Sequence, residues 1–446
     1  MDTGDDAKSG QRAVRNGNLA LILRRVRRSA PCSRADVAAA TGLTKSTVSS
    51  IVGELIERGL LRETGAASGE RRVGRPGVML EVDPRSVAAI GLEVNVDYLT
   101  VVAVDLVERE LFARHADFDA AGAGPETGVR RLADLIASAC ADPLLAGRVV
   151  VGAGIAVPGL VDAASGTVTR APNLRWRDLP LRGLLAAELD RRGRTGVPVA
   201  VDNDANLAVV AEYRGGHLAG TPGLVYITGE VGIGAGVLVD GRPLRGTRGY
   251  GGEIGHMPLT RGGPLCGCGR RGCLEALAGI AAILRRTAPG LLPGGSPGGA
   301  AIARAVRETA DRAGAGDAEV LTVLADAGDW LGRGAAVLAN LLDPRAVILG
   351  GYFVPLAPWL LPACEAALTT HVLAPPQVEP LMHTSTLGLN AAARGAAAAL
   401  LADLDRGRLP FPPLGARSRA GRVPGRGGSQ TPDVAPVTGS DQGLWP

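Results

Sequence analysis

One histidine and three cysteines lie close together along the chain, and side chains of these types are common metal ligands. His256, Cys266, Cys268 and Cys273 fall within 18 positions. One imidazole and three thiolates complete the tetrahedral coordination of a structural Zn²⁺ and leave no position for a catalytic water. The glycines between the cysteines allow the backbone to aim three sulfurs at one point. We predict a structural zinc site in residues 256–273, with a thiol redox pair as the alternative.

The elements that must position these ligands are predicted by hydrophobic patterning. Strand-like apolar runs such as Val149–Val157 alternate with helical runs such as 204–214. This alternation predicts an α/β domain with mixed sheets over residues 83–404. The flanking segments 1–17 and 405–446 lack apolar periodicity, and we predict that both are disordered tails.

Residues 18–82 have the element order of a separate α+β domain, a winged helix-turn-helix. A helix starts at Asn18, Ser33 and Thr44 are predicted to cap the next two helices, and two strand-like pieces follow. The window 11–80 carries 13 Arg and Lys against 5 Asp and Glu, so its net charge is +8, whereas the whole chain carries only +4. A basic domain beside an acidic body is typical of a nucleic-acid-binding protein.

The first turn of the third helix offers short hydroxylic and cationic side chains to DNA. A helix N-terminus also presents backbone N–H groups to phosphate, and arginines in the loop between the two strands are suited to a minor groove. The alternatives are an ordinary solvated helix face and, for the arginine loop, a plain linker. The candidate DNA-contacting residues are Lys45, Ser46, Thr47, Ser49, Arg71, Arg72 and Arg75.

Composition excludes a membrane-spanning or disulfide-built protein. No apolar run reaches the ~18 residues needed to cross a bilayer, and the acidic start, with Asp2, Asp5 and Asp6, is unlike a signal peptide. Six cysteines among 446 residues are too few for a disulfide scaffold. We expect a cytoplasmic protein with no membrane partner.

Several motifs, in their order along the chain, resemble one known family. Glu253-Ile-Gly-His256 and Cys266-Gly-Cys-Gly-Arg-Arg-Gly-Cys273-Leu-Glu275 resemble the signature of the ROK family of sugar kinases and sugar-responsive repressors. Asp202-Asn-Asp-Ala-Asn206 is similar to the family's Asn-Asp-Ala-Asn motif, and it also predicts a cap for the helix that follows. Val157-Pro-Gly159 and Ala171-Pro-Asn173-Leu are similar to the family's upstream sugar loops. The winged helix-turn-helix in front resembles the repressor branch.

This resemblance implies an actin-like (ribonuclease H-like), two-lobed fold with a sugar in the cleft, and assembly into homodimers or homotetramers. It implies that His256 binds zinc through one ring nitrogen and faces the sugar with the other. Carboxylates accept sugar hydroxyls, and asparagine both donates and accepts, so the implied ligands have suitable chemistry. They are Gly159, Asn173, Asn203, Asp204, Glu253, His256 and Glu275.

The phosphate-binding motifs of the family's kinases are altered in this chain. The kinase pattern Asp-x-Gly-x-Thr is replaced by Glu93-Val-Asn-Val-Asp97, and the second loop reads Gly229-Glu-Val-Gly-Ile-Gly234. Asn95 adds a side chain where phosphate must approach closely, and Glu230 adds a negative charge there. Asp204 matches the kinase general base, but we predict that it is vestigial and that no residue is catalytic.

These features predict a sugar-responsive, DNA-binding transcriptional regulator that represses carbohydrate-utilisation genes. Its expected partners are a near-palindromic operator DNA and a sugar or sugar phosphate effector. An active ATP-dependent sugar kinase that also binds DNA is one alternative. A zinc-thiol redox-sensing repressor is the other.

Overall fold

The computed structural model of the chain describes residues 3–66, 78–230, 232–291, 299–374 and 381–415. In that part of the chain, an N-terminal helical domain with a small sheet precedes two lobes, each built around a five-stranded sheet. This arrangement confirms the predicted fold class. Among the described helices, none is both long and apolar enough to cross a membrane.

The N-terminal domain is a winged helix-turn-helix, as predicted. Its three short strands form one antiparallel sheet in the order β1-β3-β2. Local chemistry sets the helix starts: Ser33 and Asp36 form a reciprocal capping box, and the Thr44 hydroxyl accepts from the backbone N–H of Thr47 at 3.2 Å. The elements are α1 (Thr3–Ser29), β1 (Cys32–Ser33), α2 (Arg34–Thr41), α3 (Lys45–Glu57), β2 (Leu61–Ala66) and β3 (Val78–Val82).

The first helix is longer than the sequence predicts. It begins at Thr3 rather than Asn18, so the prediction of a disordered tail is wrong for residues 3–17. Gln, Arg and Ala at positions 11–13 have high helix propensity. Arg15 Nε donates to Glu54 Oε2 on α3 at 2.8 Å, which anchors this part of α1 to the domain.

The first lobe contains a sheet with strand order β11-β7-β4-β5-β6, in which β11, β7 and β4 are parallel. A second, three-stranded sheet, β10-β9-β8, was not predicted, because its strands have only three to five residues. The elements are β4 (Val87–Val94), β5 (Tyr98–Asp105), β6 (Glu110–Asp117), α4 (Ala120–Cys140), β7 (Val149–Val157), β8 (Leu160–Asp162), β9 (Thr167–Ala171), β10 (Trp176–Leu179), α5 (Leu181–Arg191), β11 (Val199–Asn203) and α6 (Asp204–Gly215).

The second lobe contains a sheet with strand order β14-β13-β12-β15-β16, in which β12, β15 and β16 are parallel. Long helices α10 and α11 contribute to its apolar core. The elements are β12 (Leu224–Gly229), β13 (Ile233–Val239), β14 (Arg242–Pro243), α7 (Leu274–Ala278), α8 (Ile280–Thr287), α9 (Gly299–Gly314), α10 (Ala318–Leu342), β15 (Ala346–Gly351), α11 (Ala357–His371), β16 (Met382–Thr384) and α12 (Ala391–Asp405).

The last helix, α12, lies directly on the sheet of the first lobe and against α6. A Cβ on Gly91 of β4 would be 1.8 Å from the carbonyl oxygen of Ala393, and one on Gly395 would be 1.8 Å from that of Leu207. Only glycine permits these approaches. Helix α12 therefore contacts the main sheet and α6 through its backbone.

The winged helix-turn-helix and the first lobe share one apolar core. Buried side chains of α1, α3 and β3 pack in the same cluster as buried side chains of β4, β5 and α12. Continuous packing of this kind makes independent movement of the two parts costly. Representative members are Leu23, Leu55, Leu80, Ala89, Val104 and Leu401.

The chain beyond α12 returns to the N-terminal domain. Leu409 and Phe411 pack against the shared core, Arg58 donates to the Pro412 carbonyl, and the Gly415 N–H donates to the Glu57 carbonyl at 3.1 Å. The prediction of a disordered tail is therefore wrong for residues 405–415, and residues 416–446 lie outside the described part of the chain.

Candidate functional site

Three parallel strands of the first lobe bring polar residues to one edge. Glu93 on β4 pairs in register with Ala156 on β7, and Val157, at the end of β7, pairs with Asn203 on β11. Because these strands run in the same direction, their carboxyl ends lie side by side. Glu93, the turn after Val157 and the start of α6 at Asp204 therefore converge.

Asn203 and Asp204 form the N-terminus of α6 and contact the neighbouring turn. Asn203 Nδ2 donates to the Gly159 carbonyl at 3.1 Å and to Asp204 Oδ1 at 2.8 Å, and Asn203 Oδ1 accepts from the Asn206 N–H at 3.0 Å. Asp204 Oδ1 also accepts from the Ala205 N–H at 2.8 Å. The predicted cap is present, and it fixes both side chains at the cleft.

Gly159 and Asn173 lie on neighbouring loops. Gly159 has a φ of +103°, and a Cβ there would be 2.4 Å from the Arg170 carbonyl oxygen and 2.9 Å from the Cα of Ala171. Glycine is thus required where the two loops touch. Asn173, two residues beyond Ala171, is exposed.

Glu253, His256 and Glu275 come from the second lobe. Glu253 directly precedes the 3₁₀ turn Ile254–His256, and Glu275 lies in the first turn of α7. Glu275 Oε2 accepts from the Ile233 N–H at 3.2 Å, and Cys266 Sγ lies 3.5 Å from Glu275 Oε1. The charge of Glu253 also acts on Asp204 across the cleft. The structure therefore brings Glu253 close to Asp204 and joins Glu275 to the cysteine cluster.

The predicted metal ligands form one cluster. The ligand atoms of His256, Cys266, Cys268 and Cys273 all lie within 4.8 Å of one another. His256 Nδ1 is 3.6 Å from Cys266 Sγ, and the Sγ atoms of Cys268 and Cys273 are 3.7 Å apart. Tetrahedral Zn²⁺ with Zn–S bonds of ~2.3 Å requires sulfurs ~3.8 Å apart, so the side chains present fit this ion. All six cysteines are free thiols.

The predicted DNA-contacting residues on α3 share one surface. Lys45, Ser46 and Ser49 are exposed and Thr47 is half-buried in the first two turns of the helix. Thr44 Oγ1 lies 3.0 Å from Ser46 Oγ and 2.8 Å from Thr47 Oγ1, which orders the hydroxyls at the N-terminus. Arg71, Arg72 and Arg75 lie outside the described residues.

Comparison with known proteins identifies the domains that hold these residues. The ROK family model matches residues 89–403, and a MarR family model matches residues 19–72. The chain belongs to the ROK family. The ROK match contains the sugar-site and metal-site residues, and the MarR match contains the exposed surface of α3.

Relatives of this ROK protein include both regulators and kinases. It is 30% identical over 397 residues to a xylose repressor from Bacillus spizizenii, an alignment that covers 89% of this chain and 96% of the relative. A solved ROK family transcriptional regulator, a homologue of the E. coli MLC protein, has a TM-score of 0.72 and 25% identity and covers 91% of this chain and 99% of that one. A ROK family glucokinase from Streptomyces griseus, solved with glucose and AMPPNP, has a TM-score of 0.57 and 28% identity and covers 70% of this chain and 98% of that one.

In this ROK chain, backbone donors of the first altered phosphate loop are already occupied. The Val96 N–H donates to Asn95 Oδ1 at 2.7 Å, and the Asn95 N–H donates to the Tyr98 carbonyl at 2.9 Å. Phosphate loops hold their ligand with unpaired backbone N–H groups. The turn between β4 and β5 therefore offers neither of these donors to a nucleotide.

The second altered loop is closed by an acidic side chain. The Glu230 N–H donates to the Gly232 carbonyl at 3.1 Å, and a Cβ on Gly351 would be 2.5 Å from Glu230 Oε1. The Glu230 carboxylate thus lies over the turn at the end of β15. Asn95 Nδ2 donates to Glu230 Oε2 at 3.4 Å, which joins the two altered loops across the cleft.

Sequence reasoning missed several residues that organise the site. Asp202 is buried, Asn203 N–H donates to its Oδ1 at 2.8 Å, and Arg245 Nε from the second lobe donates to its Oδ2 at 2.8 Å. Glu93 is only 3% exposed and accepts from the Tyr98 hydroxyl at 3.3 Å. The Arg245 pair joins residues 43 positions apart, and no local sequence pattern indicates such a contact.

Proposed function

We propose that this ROK protein is a sugar-responsive transcriptional repressor of carbohydrate-utilisation genes. The observation that carries the proposal is the continuous path from the sugar site to the DNA-binding domain. Helix α6 begins at Asn203 and Asp204, packs on α12, and α12 shares a core with α1 and α3. The similarity to a xylose repressor and to a ROK transcriptional regulator supports the same conclusion.

The sugar is held in the cleft by hydroxyl-binding side chains from both lobes. Asn203, Asp204 and Gly159 contribute from the first lobe and Glu253 and Glu275 from the second, with Asn173 and His256 completing the set. Carboxylates accept hydroxyl protons, whereas asparagine both donates and accepts. A ligand that bridges the lobes favours a closed state over an open one, and this differential affinity is what a switch requires.

An ion-paired connection lies between α6 and the DNA-binding domain. Arg214, in the last turn of α6, donates through Nε to both oxygens of Glu108, at 2.8 and 2.9 Å. Arg27 Nη1 of α1 lies 3.8 Å from Glu108 Oε1. We propose that movement of α6 on sugar binding reaches α1 through Glu108 and α12.

The DNA-binding domain acts as part of a homodimer or homotetramer. Two copies of α3 enter successive major grooves of a near-palindromic operator. Lys45, Ser46, Thr47 and Ser49 contact it, and the segment with Arg71, Arg72 and Arg75 adds phosphate or minor-groove contacts. Such a repressor works in the cytoplasm, where operator DNA and sugars meet.

A structural Zn²⁺ is bound by His256, Cys266, Cys268 and Cys273. Four such ligands close the coordination sphere, so the ion supplies rigidity and no reaction step. It orients the segment that carries Glu253, His256 and Glu275, as partners around a metal commonly orient neighbouring ligands.

The protein acts without kinase chemistry. Its two phosphate loops have occupied N–H groups and acidic side chains, so Asp204 serves as a hydroxyl acceptor. Incubation with ATP and a sugar panel tests this point. Sustained, sugar-dependent ADP release that Asp204→Asn abolishes would favour the kinase alternative.

Operator binding by the full-length protein tests the proposal as a whole. The probe is a labelled duplex selected from a random DNA library, and its affinity is measured with and without xylose, glucose or N-acetylglucosamine. One of these sugars should weaken binding at least ~10-fold, a typical allosteric coupling. Asp204→Asn should lose this response while still binding the duplex. Release by peroxide but by no sugar would instead favour the redox alternative.

A further inference from the structure

Acidic side chains from three elements surround the cavity at Asp204. Glu93 from β4, Asp204 from α6 and Glu230 from the end of β12 line the same cavity between the lobes, together with Thr228 and Tyr226. None of the ion pairs among the described residues includes Glu93, Asp97, Asp204 or Glu230. The cavity therefore has negative charge without a neighbouring cation.

Glu93 is the most buried member of this group. It is 3% exposed, its Oε1 accepts from the Tyr98 hydroxyl at 3.3 Å, and its buried Oε2 has no hydrogen-bond partner. A buried polar atom without a partner is costly, so it favours a ligand that brings a hydrogen-bonding group. A sugar hydroxyl is such a group.

Crowding of the carboxyls is also visible in their proton affinities. Burial, followed by the charge of Asp204, raises the pKa of Glu93 to about 8. Burial raises the pKa of Asp204 to about 6, and burial and then Glu93 raise the pKa of Glu230 well above its ordinary value. Further negative charge at this place is therefore unfavourable.

We infer that the effector is a neutral sugar that carries no phosphate on the hydroxyl meeting Asp204. The inference rests on the proposed sugar site. A phosphate monoester brings a charge of about −1.5 to −2 at pH 7. On that hydroxyl it would lie between Glu93 and Glu230, beside loops whose N–H groups at Asn95, Val96 and Glu230 are occupied.

The phosphate ester should therefore bind at least ~100-fold more weakly than its parent sugar, because each close carboxylate–phosphate pair is repulsive. Isothermal titration of the full-length protein with glucose and glucose 6-phosphate, and with N-acetylglucosamine and its 6-phosphate, measures this ratio. A phosphate ester that binds as tightly as its parent, or that alone releases operator DNA, overturns the inference and leaves the proposed function standing. If no sugar of either kind binds, the proposed function fails as well.

Charge variants separate repulsion from a merely structural role. Glu230→Gln should lower the ratio of the two dissociation constants at least ~10-fold, whereas Glu230→Asp keeps the charge and should keep the ratio high. Glu126→Gln, an exposed change on α4, should leave the ratio as it is. An unchanged ratio in Glu230→Gln contradicts the inference. If that variant does not fold, Asp97→Asn at the neighbouring loop should lower the ratio in the same direction.

Discussion

Arg27 in the first helix donates through Nη1 to Asp405 Oδ2 in the last helix at 2.7 Å. Both side chains are largely buried, with 15% and 9% of their surface exposed. Arg27 also donates to the Leu106 carbonyl of the first lobe. One guanidinium therefore joins the DNA-binding domain, the sheet that carries the sugar site and the C-terminal helix.

Breaking this pair should destabilise the whole chain. Asp405→Asn removes the charge that compensates Arg27, and a charge-assisted hydrogen bond at a buried place contributes about 2 kcal/mol. Urea unfolding should show that loss in a single transition that includes both domains, because they share one core. Asp403→Asn is the matched control, since its pairs with Arg406 and Arg408 are more exposed and should contribute less than about 0.5 kcal/mol. Equal losses in the two variants would contradict this account.

Glu108 should carry part of the response from sugar to DNA. Glu108→Gln keeps the shape of the side chain but weakens its pairs with Arg214 and Arg27. If α6 moves α1 through these pairs, the ratio of operator affinities with and without sugar should fall at least ~3-fold. The sugar dissociation constant, which depends on residues at the other end of α6, serves as the internal check.

Glu110→Gln is the matched control for this variant. Glu110 lies two positions further along and has a longer contact, 3.5 Å, with Arg394 of α12. It should leave the sugar response intact. Loss of the response in both variants would assign the effect to the general charge of this turn.

Local chemistry explains which elements could be predicted from the sequence. Ser33, Thr44 and Asn203 each cap a helix with a hydrogen bond to a residue three positions on. The metal cluster is likewise contained in 18 consecutive positions. Such features depend on residues that are near one another in the chain, so their spacing is sufficient evidence.

The errors concern contacts between distant parts of the chain. The order of α1 before Asn18 and of residues 405–415 depends on Arg15 with Glu54 and on Phe411 with the shared core. The close approach of α12 depends on Gly91, which reads as an ordinary strand residue. Tertiary packing overrides local propensity at these places, and no short window of sequence contains the information.

Stability should fall as pH rises because of Glu93. Burial and the charge of Asp204 raise the pKa of Glu93 from 4.5 to about 8, so the folded state holds this proton more tightly than the unfolded chain. The unfolded state then loses protons first, and the free energy of unfolding decreases between about pH 4.5 and 8. Asp204, Glu230 and Tyr98 face the same carboxyl, and none supplies a positive charge.

Glu93→Gln should reverse this trend. The variant should raise the thermal midpoint by roughly 4 °C or more at pH 8 and change it little at pH 5, where Glu93 is already protonated. Differential scanning calorimetry at the two pH values measures the difference. Glu126→Gln should behave alike at both. A Glu93→Gln midpoint that falls by the same amount at both pH values would mean that the carboxylate is ionised and stabilised in the folded state.

Zinc should support the sugar site from a distance. Elemental analysis should find one zinc per chain, and Cys266→Ser should lower that content, whereas Cys140→Ser, outside the cluster, should keep it. Cys266 and Glu275 are in contact, and Glu275 also holds β13 through the Ile233 N–H. Loss of the metal should therefore displace Glu275 and weaken sugar binding by about 10- to 100-fold, the usual effect of losing an orienting partner. A chelated protein that keeps its sugar affinity would show that the cysteine cluster and the sugar site are independent.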